Sequence, residues 1–168
     1  MYYCEKCKNW FKHDSFKVNQ PDDDPYEMGR CPILSCDGRV VDVDDDLVIP
    51  IKILNDKGYE TWYSCEGHPD LSCGGYYGIY IALKMQYGEF IKINKGINDI
   101  LIDQNSYFQI TPSIIHCHEL CTMINLNQKS LDTIDNFKPD DIASAYINAM
   151  KIRLDLIRII ESFKPINR

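Results

Sequence analysis

Apolar positions in this chain fall into short stretches of differing phase, and each phase predicts an element. Phe11, Phe16 and Val18 on one arm, with Val40, Val41 and Val43 on another, predict a small β layer near the N-terminus. Asp44, Asp45 and Asp46 suit the start of a helix beginning near Leu47, where carboxylates meet unpaired N–H groups. Pro50 is tolerable in its first turns, Leu47, Ile51 and Leu54 form its apolar stripe, and Gly58 supplies the stop. Alternation over Tyr59 to Ser64 predicts a strand, and Ile79, Ile81 and Leu83 mark one face of a second. Phe90–Ile93, Ile100–Asp103 and Tyr107–Ile110 read as further short strands of an antiparallel meander. Thr111-Pro112 has the form of a helix start, with Ile114, Cys117, Cys121 and Ile124 on one helical face. A last helix is expected from about Lys138-Pro139-Asp140-Asp141 to Phe163, burying Ile142, Ala145, Ala149, Ile152, Leu156, Ile160 and Phe163.

The cysteines give the first of these stretches its chemistry. Cys4-x-x-Cys7 is answered by Cys31-x-x-x-x-Cys36, which supplies the ligand count and pairing of a tetrahedral Zn²⁺ site. Pro32 fixes φ in the second knuckle, and Gly38 falls where a knuckle often needs positive φ. A disulfide pair, or four unrelated buried thiols, would also use these residues, but only a metal site uses all four in one template. One structural zinc ion is therefore expected on Cys4, Cys7, Cys31 and Cys36, with no open coordination position for catalysis. The expected architecture is α+β: an N-terminal zinc ribbon over residues 1–42, then a domain over 43–168 in which a small antiparallel sheet packs against helices.

Composition adds sign and compartment. The 168 residues are 45% hydrophobic and 26% charged, an ordinary globular balance. Met1 to Glu5 do not begin a basic stretch followed by an apolar one, so no signal peptide is expected, and no apolar run nears the ~20 residues of a membrane span. Eight cysteines without a secretion signal suggest a reducing, cytoplasmic setting. The net charge is −7, and residues 1–46 hold 11 Asp/Glu against 6 Lys/Arg. Asp22-Asp23-Asp24 and Asp42-x-Asp44-Asp45-Asp46 give the ribbon the wrong sign for displacing counterions from phosphates. That argues against direct, non-specific nucleic-acid binding and for a basic protein partner or a small ligand.

One segment carries a resemblance. Leu54-Asn55-x-Lys57-Gly58-Tyr59-x-Thr61, followed by Ser64-Cys65-x-Gly67-His68, resembles small, mostly uncharacterised zinc-ribbon proteins of low-GC bacteria and their phages. The likeness covers about half the chain, from residue 1 to about 95, and it implies a phage-derived zinc-ribbon protein. More distantly, the helix–strand–Ser-Cys-x-Gly pattern is similar to the start of the tRNA wybutosine-synthesising methyltransferase domain. That likeness implies an RNA-modifying, S-adenosylmethionine-dependent enzyme. Ser64, Cys65 and Gly67 carry over, whereas His68 stands where that pattern has Arg and Glu66 where it has Ser.

Read from its residues alone, the Ser64–His68 loop puts small groups and an imidazole at the lip of a sheet, where sites commonly form. Cys65 with His68 could be a nucleophile and its base or two metal ligands, and Glu66 is the acid/base candidate. Equally, Cys65 could be a strand-end thiol and His68 a turn residue ahead of Pro69. Ligand-binding candidates are Ser64, Cys65, Gly67 and His68, with Trp62 and Tyr76 from an aromatic set that includes Tyr59, Tyr63, Tyr77 and Tyr80. His116, His118 and Cys121 suggest a second metal site, with Cys65, His68 or Cys73 as candidates to complete it. Cys117 and Cys121 instead fit core thiols on the predicted helix. The leading expectation is a non-enzymatic binding or regulatory protein, with the RNA-modifying or nucleotide-processing enzyme as the alternative.

Overall fold

The structure is a computed structural model that describes residues 1–4, 6–12, 30–38, 40–65, 79–114, 120–127 and 142–166. The side chains of residues 63, 65, 142–146 and 148 fall outside that description. So do Phe16, Val18, Asp22–Asp24, Glu66, Gly67, His68, Cys73, Tyr76, His116, Cys117 and His118. The chain divides into two compact units, Met1–Val48 and Ile49–Arg168. The architecture is α+β.

In the first unit β1 (Tyr2–Cys4) lies between β2 (Trp10–Phe11) and β3 (Val40–Asp42), antiparallel to both. Cys4 is registered with Val40, and Tyr3 with both Val41 and Trp10. The small core comprises Cys4, Cys31 and Val40, with Tyr2, Phe11 and Ile33 packed against it. Such a core is too small to be stable by burial alone, so the cysteine cluster must contribute.

A 3₁₀ turn over Asp45–Leu47 leads into α1 (Val48–Asp56). Asp44 stands at the N-cap position without a side-chain capping bond. Its acidic neighbours Asp45 and Asp46 occupy the first turn, where the helix dipole favours them. Gly58 follows the helix at φ +87°, as a left-handed stop requires.

The second unit is built on a four-stranded antiparallel sheet in the order β4-β5-β7-β6. Its strands are β4 (Thr61–Cys65), β5 (Tyr80–Leu83), β6 (Phe108–Ile114) and β7 (Leu120–Leu126). Ile81, Leu83, Phe108, Ile110, Ile124 and Leu126 are all buried. Helix α2 (Tyr87–Ile93) packs against β7, α3 (Ile97–Asp103) packs against β6, and α4 (Ile142–Ser162) is the long C-terminal helix. No helix among the described residues is long and apolar enough to cross a membrane.

Three sequence expectations are corrected here. Phe90–Ile93 and Ile100–Asp103 are helical, not strands, and belong to α2 and α3. The buried positions Phe90, Ile97 and Leu101 have helical spacing, and Gly96 at φ +82° divides what would read as one continuous stretch. Thr111-Pro112 does not begin a helix but lies inside β6, with Pro112 registered against Thr122. Proline is tolerated there because β6 is an edge strand, where a missing N–H breaks no ladder on the open side. Cys121 and Ile124 are core residues as expected, though they are held on β7 rather than on a helix.

Buried polar groups fasten α4 to this sheet. The Asp155 carboxylate, 6% exposed, accepts from Ser106 Oγ at 2.8 Å and from the Tyr107 N–H at 2.7 Å. It also pairs with Arg158 one turn along. At the far end of α4, the rings of Tyr59, Phe90 and Phe163 form a cluster with centroids 5.0–6.0 Å apart.

Candidate metal centre

The four cysteine Sγ atoms of the first unit lie within 4.8 Å of one another, a grouping that can hold a metal ion. Cys4 and Cys31 are buried, while Cys7 and Cys36 are half-buried. The two short sulfur contacts cross between knuckles: Cys4 to Cys36 at 3.7 Å and Cys7 to Cys31 at 3.6 Å. Both far exceed a disulfide bond of about 2.05 Å, so the cysteines are free thiols brought to one point.

Local backbone geometry sets each knuckle. In the first, the Lys8 N–H donates to the Cys4 carbonyl at 2.9 Å and the Cys4 N–H donates to Asn9 O at 2.9 Å. Closing that loop puts Lys8 in the left-handed region at φ 61°, which costs a non-glycine residue about 1–2 kcal/mol. In the second, the Cys36 N–H donates to Ile33 O and the Cys31 N–H to Gly38 O, both at 2.8 Å. Lys6 of the first knuckle forms an exposed ion pair with Asp37 of the second. That contact spans the two halves of the site, and sequence spacing alone gave no sign of it.

Gly38 is needed for a different reason from the one expected. Its φ is not positive; only Gly58 and Gly96 are left-handed among the described glycines. Instead, a Cβ at position 38 would lie 2.7 Å from Cys4 Sγ and 2.6 Å from Lys6 Cβ. The absence of a side chain lets the backbone pass over the cluster, and the Gly38 N–H donates to Cys36 Sγ at 3.4 Å.

The electrostatics of the thiols differ from one to the next. Burial pushes Cys31 up to about 12 and raises Cys4, with Cys4 helped down in part by backbone donors. Cys7 is pulled down to about 6, first by hydrogen bonding from the Asn9 side chain. Four thiolates this close repel one another and resist desolvation, and a bound divalent cation offsets both effects.

The second group of sequence candidates is only partly within the described residues. Ser64 and Trp62 lie half-buried on β4, and the Lys84 ammonium sits over the Trp62 ring at 5.7 Å. The backbone of Cys65 ends β4 opposite Tyr80. Tyr59 leaves the aromatic surface set: it is 1% exposed and hydrogen-bonded in the core. Burial also raises the Cys121 thiol, which is 1% exposed and therefore a core thiol.

Strand register separates the strand ends that flank His68 from those that flank His116 and His118. Cys65 pairs with Tyr80, and Tyr80 with Asn125 near the end of β7. Ile114 and Leu120, which flank residues 115–119, pair at its start. These strand ends therefore lie at opposite ends of the sheet, about 17 Å apart along β7. A groove of about 530 Å³ does open in this unit, along α3 and β6, but it is lined by residues such as Asn98, Leu101, Ile102, Gln109 and Asn127. Among the described residues, no sequence candidate contributes to it and no charged residue lines it.

No family model, curated relative or solved structure matches this chain.

Proposed function

We propose that this is a non-enzymatic binding or regulatory protein, of phage origin, whose first unit is a ribbon held by one structural zinc ion. The observation that carries the reading is the closed set of four thiols. A tetrahedron with Zn–S bonds of about 2.3 Å has sulfur–sulfur edges of about 3.8 Å, close to the 3.6 and 3.7 Å contacts across the knuckles. Soft thiolate ligands select zinc over oxygen-seeking cations, and four of them leave no position for water or substrate. The ion therefore serves folding, and recognition falls to the surface it holds in place.

The ribbon's partner is a basic protein surface or a small nucleotide-like ligand. Asp42, Asp45 and Asp46 are exposed beside the small sheet, which supports a cationic partner and opposes a nucleic-acid backbone. The aromatic and hydroxyl groups of Trp62 and Ser64 on β4 are the candidate contacts of the second unit. A cytoplasmic setting follows from the reducing conditions that free thiolates need.

Affinity capture from a low-GC bacterial host, using the zinc-loaded chain as bait, tests this reading. Specific recovery of a cationic partner that is lost when Cys31 is replaced by Ser is the expected result. Tight S-adenosylmethionine binding by calorimetry, with no partner recovered, would favour the methyltransferase-like alternative centred on the Ser64–His68 loop.

A further inference from the structure

The groove along α3 and β6 runs beside the open edge of the sheet. Four consecutive residues of β6, namely Phe108, Gln109, Ile110 and Thr111, line it. Side chains alternate between the two faces of a strand, so an unbroken run places the groove against the strand's edge. Register decides which main-chain groups face it. The Asn127 N–H donates to Tyr107 O at 2.9 Å, one step beyond the pair of Phe108 and Leu126. Hydrogen-bonded and non-bonded pairs alternate along an antiparallel ladder, so Gln109 and Thr111 bond β7 while Phe108, Ile110 and Pro112 face outward. Two observations agree with that phase. The Phe108 N–H donates to Ser106 Oγ rather than to β7, and proline stands at position 112, where the ladder needs no N–H. Over 108–112 the outward edge thus offers one uncommitted donor, the Ile110 N–H, and three acceptors, Phe108 O, Ile110 O and Pro112 O. None of these four groups has a partner among the described residues.

From this edge we infer a docking site for an extended, uncharged segment of a partner protein, added to the sheet as an antiparallel strand beside β6. A residue opposite Ile110 exchanges both main-chain bonds with it, and the residues two places to either side donate to Phe108 O and Pro112 O. A second copy of β6 is a poor complement, because its edge repeats the same shortage of donors. Leu101 and Ile102 of α3 form the facing wall, and Ile102 is 75% exposed, an apolar surface for every second side chain of the added strand. Among the described residues no charged group lines the groove. A charged side chain entering it would lose water without gaining a counter-charge, which selects an uncharged segment. The site goes beyond the proposed ribbon function, since all of its residues belong to the second unit.

The test uses the full chain and a fluorescent, end-capped (Val-Thr)₃ peptide, with two isomers N-methylated on every Val or on every Thr. The isomers lose equal numbers of donors, but from opposite edges of the added strand. Anisotropy should show one isomer binding within about threefold of the parent and the other at least about tenfold more weakly. Replacing the middle Val by Glu or by Lys should weaken binding about tenfold in both cases. Ile102→Gln changes an exposed side chain and should weaken binding about fivefold with the circular dichroism spectrum unchanged. Binding should persist in Cys31→Ser, which separates this site from the ribbon's. The inference is overturned if the parent peptide does not bind, if the two isomers bind equally, or if the Glu or Lys peptide is preferred. It is equally overturned by a dimer of the chain that Ile102→Gln dissociates, or by full displacement of the peptide by equimolar adenosine.

Discussion

The Tyr59 hydroxyl donates to the carbonyl oxygen of Lys164 at 2.7 Å, joining residues 105 positions apart. It also accepts from Asn94 Nδ2 at 2.8 Å, while Asn94 Oδ1 accepts from the Lys164 N–H at 2.8 Å. The neighbours of Tyr59 act on the same segment. Lys57 Nζ donates to the carbonyls of Glu161 and Phe163, both at 2.6 Å, where a cation complements the end of α4. The Ile166 N–H returns a bond to Lys57 O at 2.8 Å. A Cβ on Gly58 would meet Ile166 O at 3.1 Å. Lys57, Gly58 and Tyr59 thus latch the segment 161–166.

Breaking that latch has a pH signature. Burial raises the Tyr59 phenol above its ordinary value of 10.0, with the Asn94 hydrogen bond opposing in part. A raised folded pKa means that the folded state holds the proton more tightly. The associated stability is fully present below about pH 10 and is lost as pH rises through the raised value. Urea denaturation of the second unit should show Tyr59→Phe costing about 1–3 kcal/mol at neutral pH. The difference between wild type and variant should shrink above pH 10. A variant as stable as wild type at pH 7 would remove Tyr59 from this role.

The metal prediction concerns stoichiometry and folding together. Purified chain should carry one zinc per molecule by elemental analysis, and Cys31→Ser should abolish it. Apparent binding energies of structural zinc sites run to about 10–16 kcal/mol, far more than so small a core supplies, so residues 1–42 should unfold in the variant. Limited proteolysis should then cut the ribbon and spare the sheet of the second unit. An intact, metal-free ribbon would refute the assignment.

Gly38→Ala tests the close approach over the sulfurs. Its Cβ contacts fall below 3.0 Å against Cys4 Sγ and Lys6 Cβ, so a knuckle must shift to admit it. Competition with a chromophoric chelator should show zinc affinity falling at least tenfold, about 1.4 kcal/mol. Lys6→Ala keeps the Cβ that the new methyl group meets and leaves the sulfur in place, so it should not restore binding in the double variant. Affinity equal to wild type would mean that Gly38 has no such role.

The cysteine spacing alone marked the candidate metal centre. Two closely spaced pairs of cysteines name the four residues that converge, although β1–β3 pairing is what brings the knuckles together, and α1 with its left-handed Gly58 was legible in the same way. The α+β class and the strands β4 and β5 were equally legible, because alternation over Tyr59–Ser64 and Ile79–Leu83 has the period of a strand. Tertiary structure decided the rest. Phe90 and Ile100 sit in apolar runs too short to reveal their period, so only packing against β7 and β6 made α2 and α3 helical. Thr111-Pro112 is a sound helix start in isolation, yet the open side of an edge strand accepts proline at no ladder cost, and the alternating burial of Phe108 and Ile110 prevailed. Gly38 was marked by the sequence but explained by the fold, since a close approach across the chain leaves no local trace.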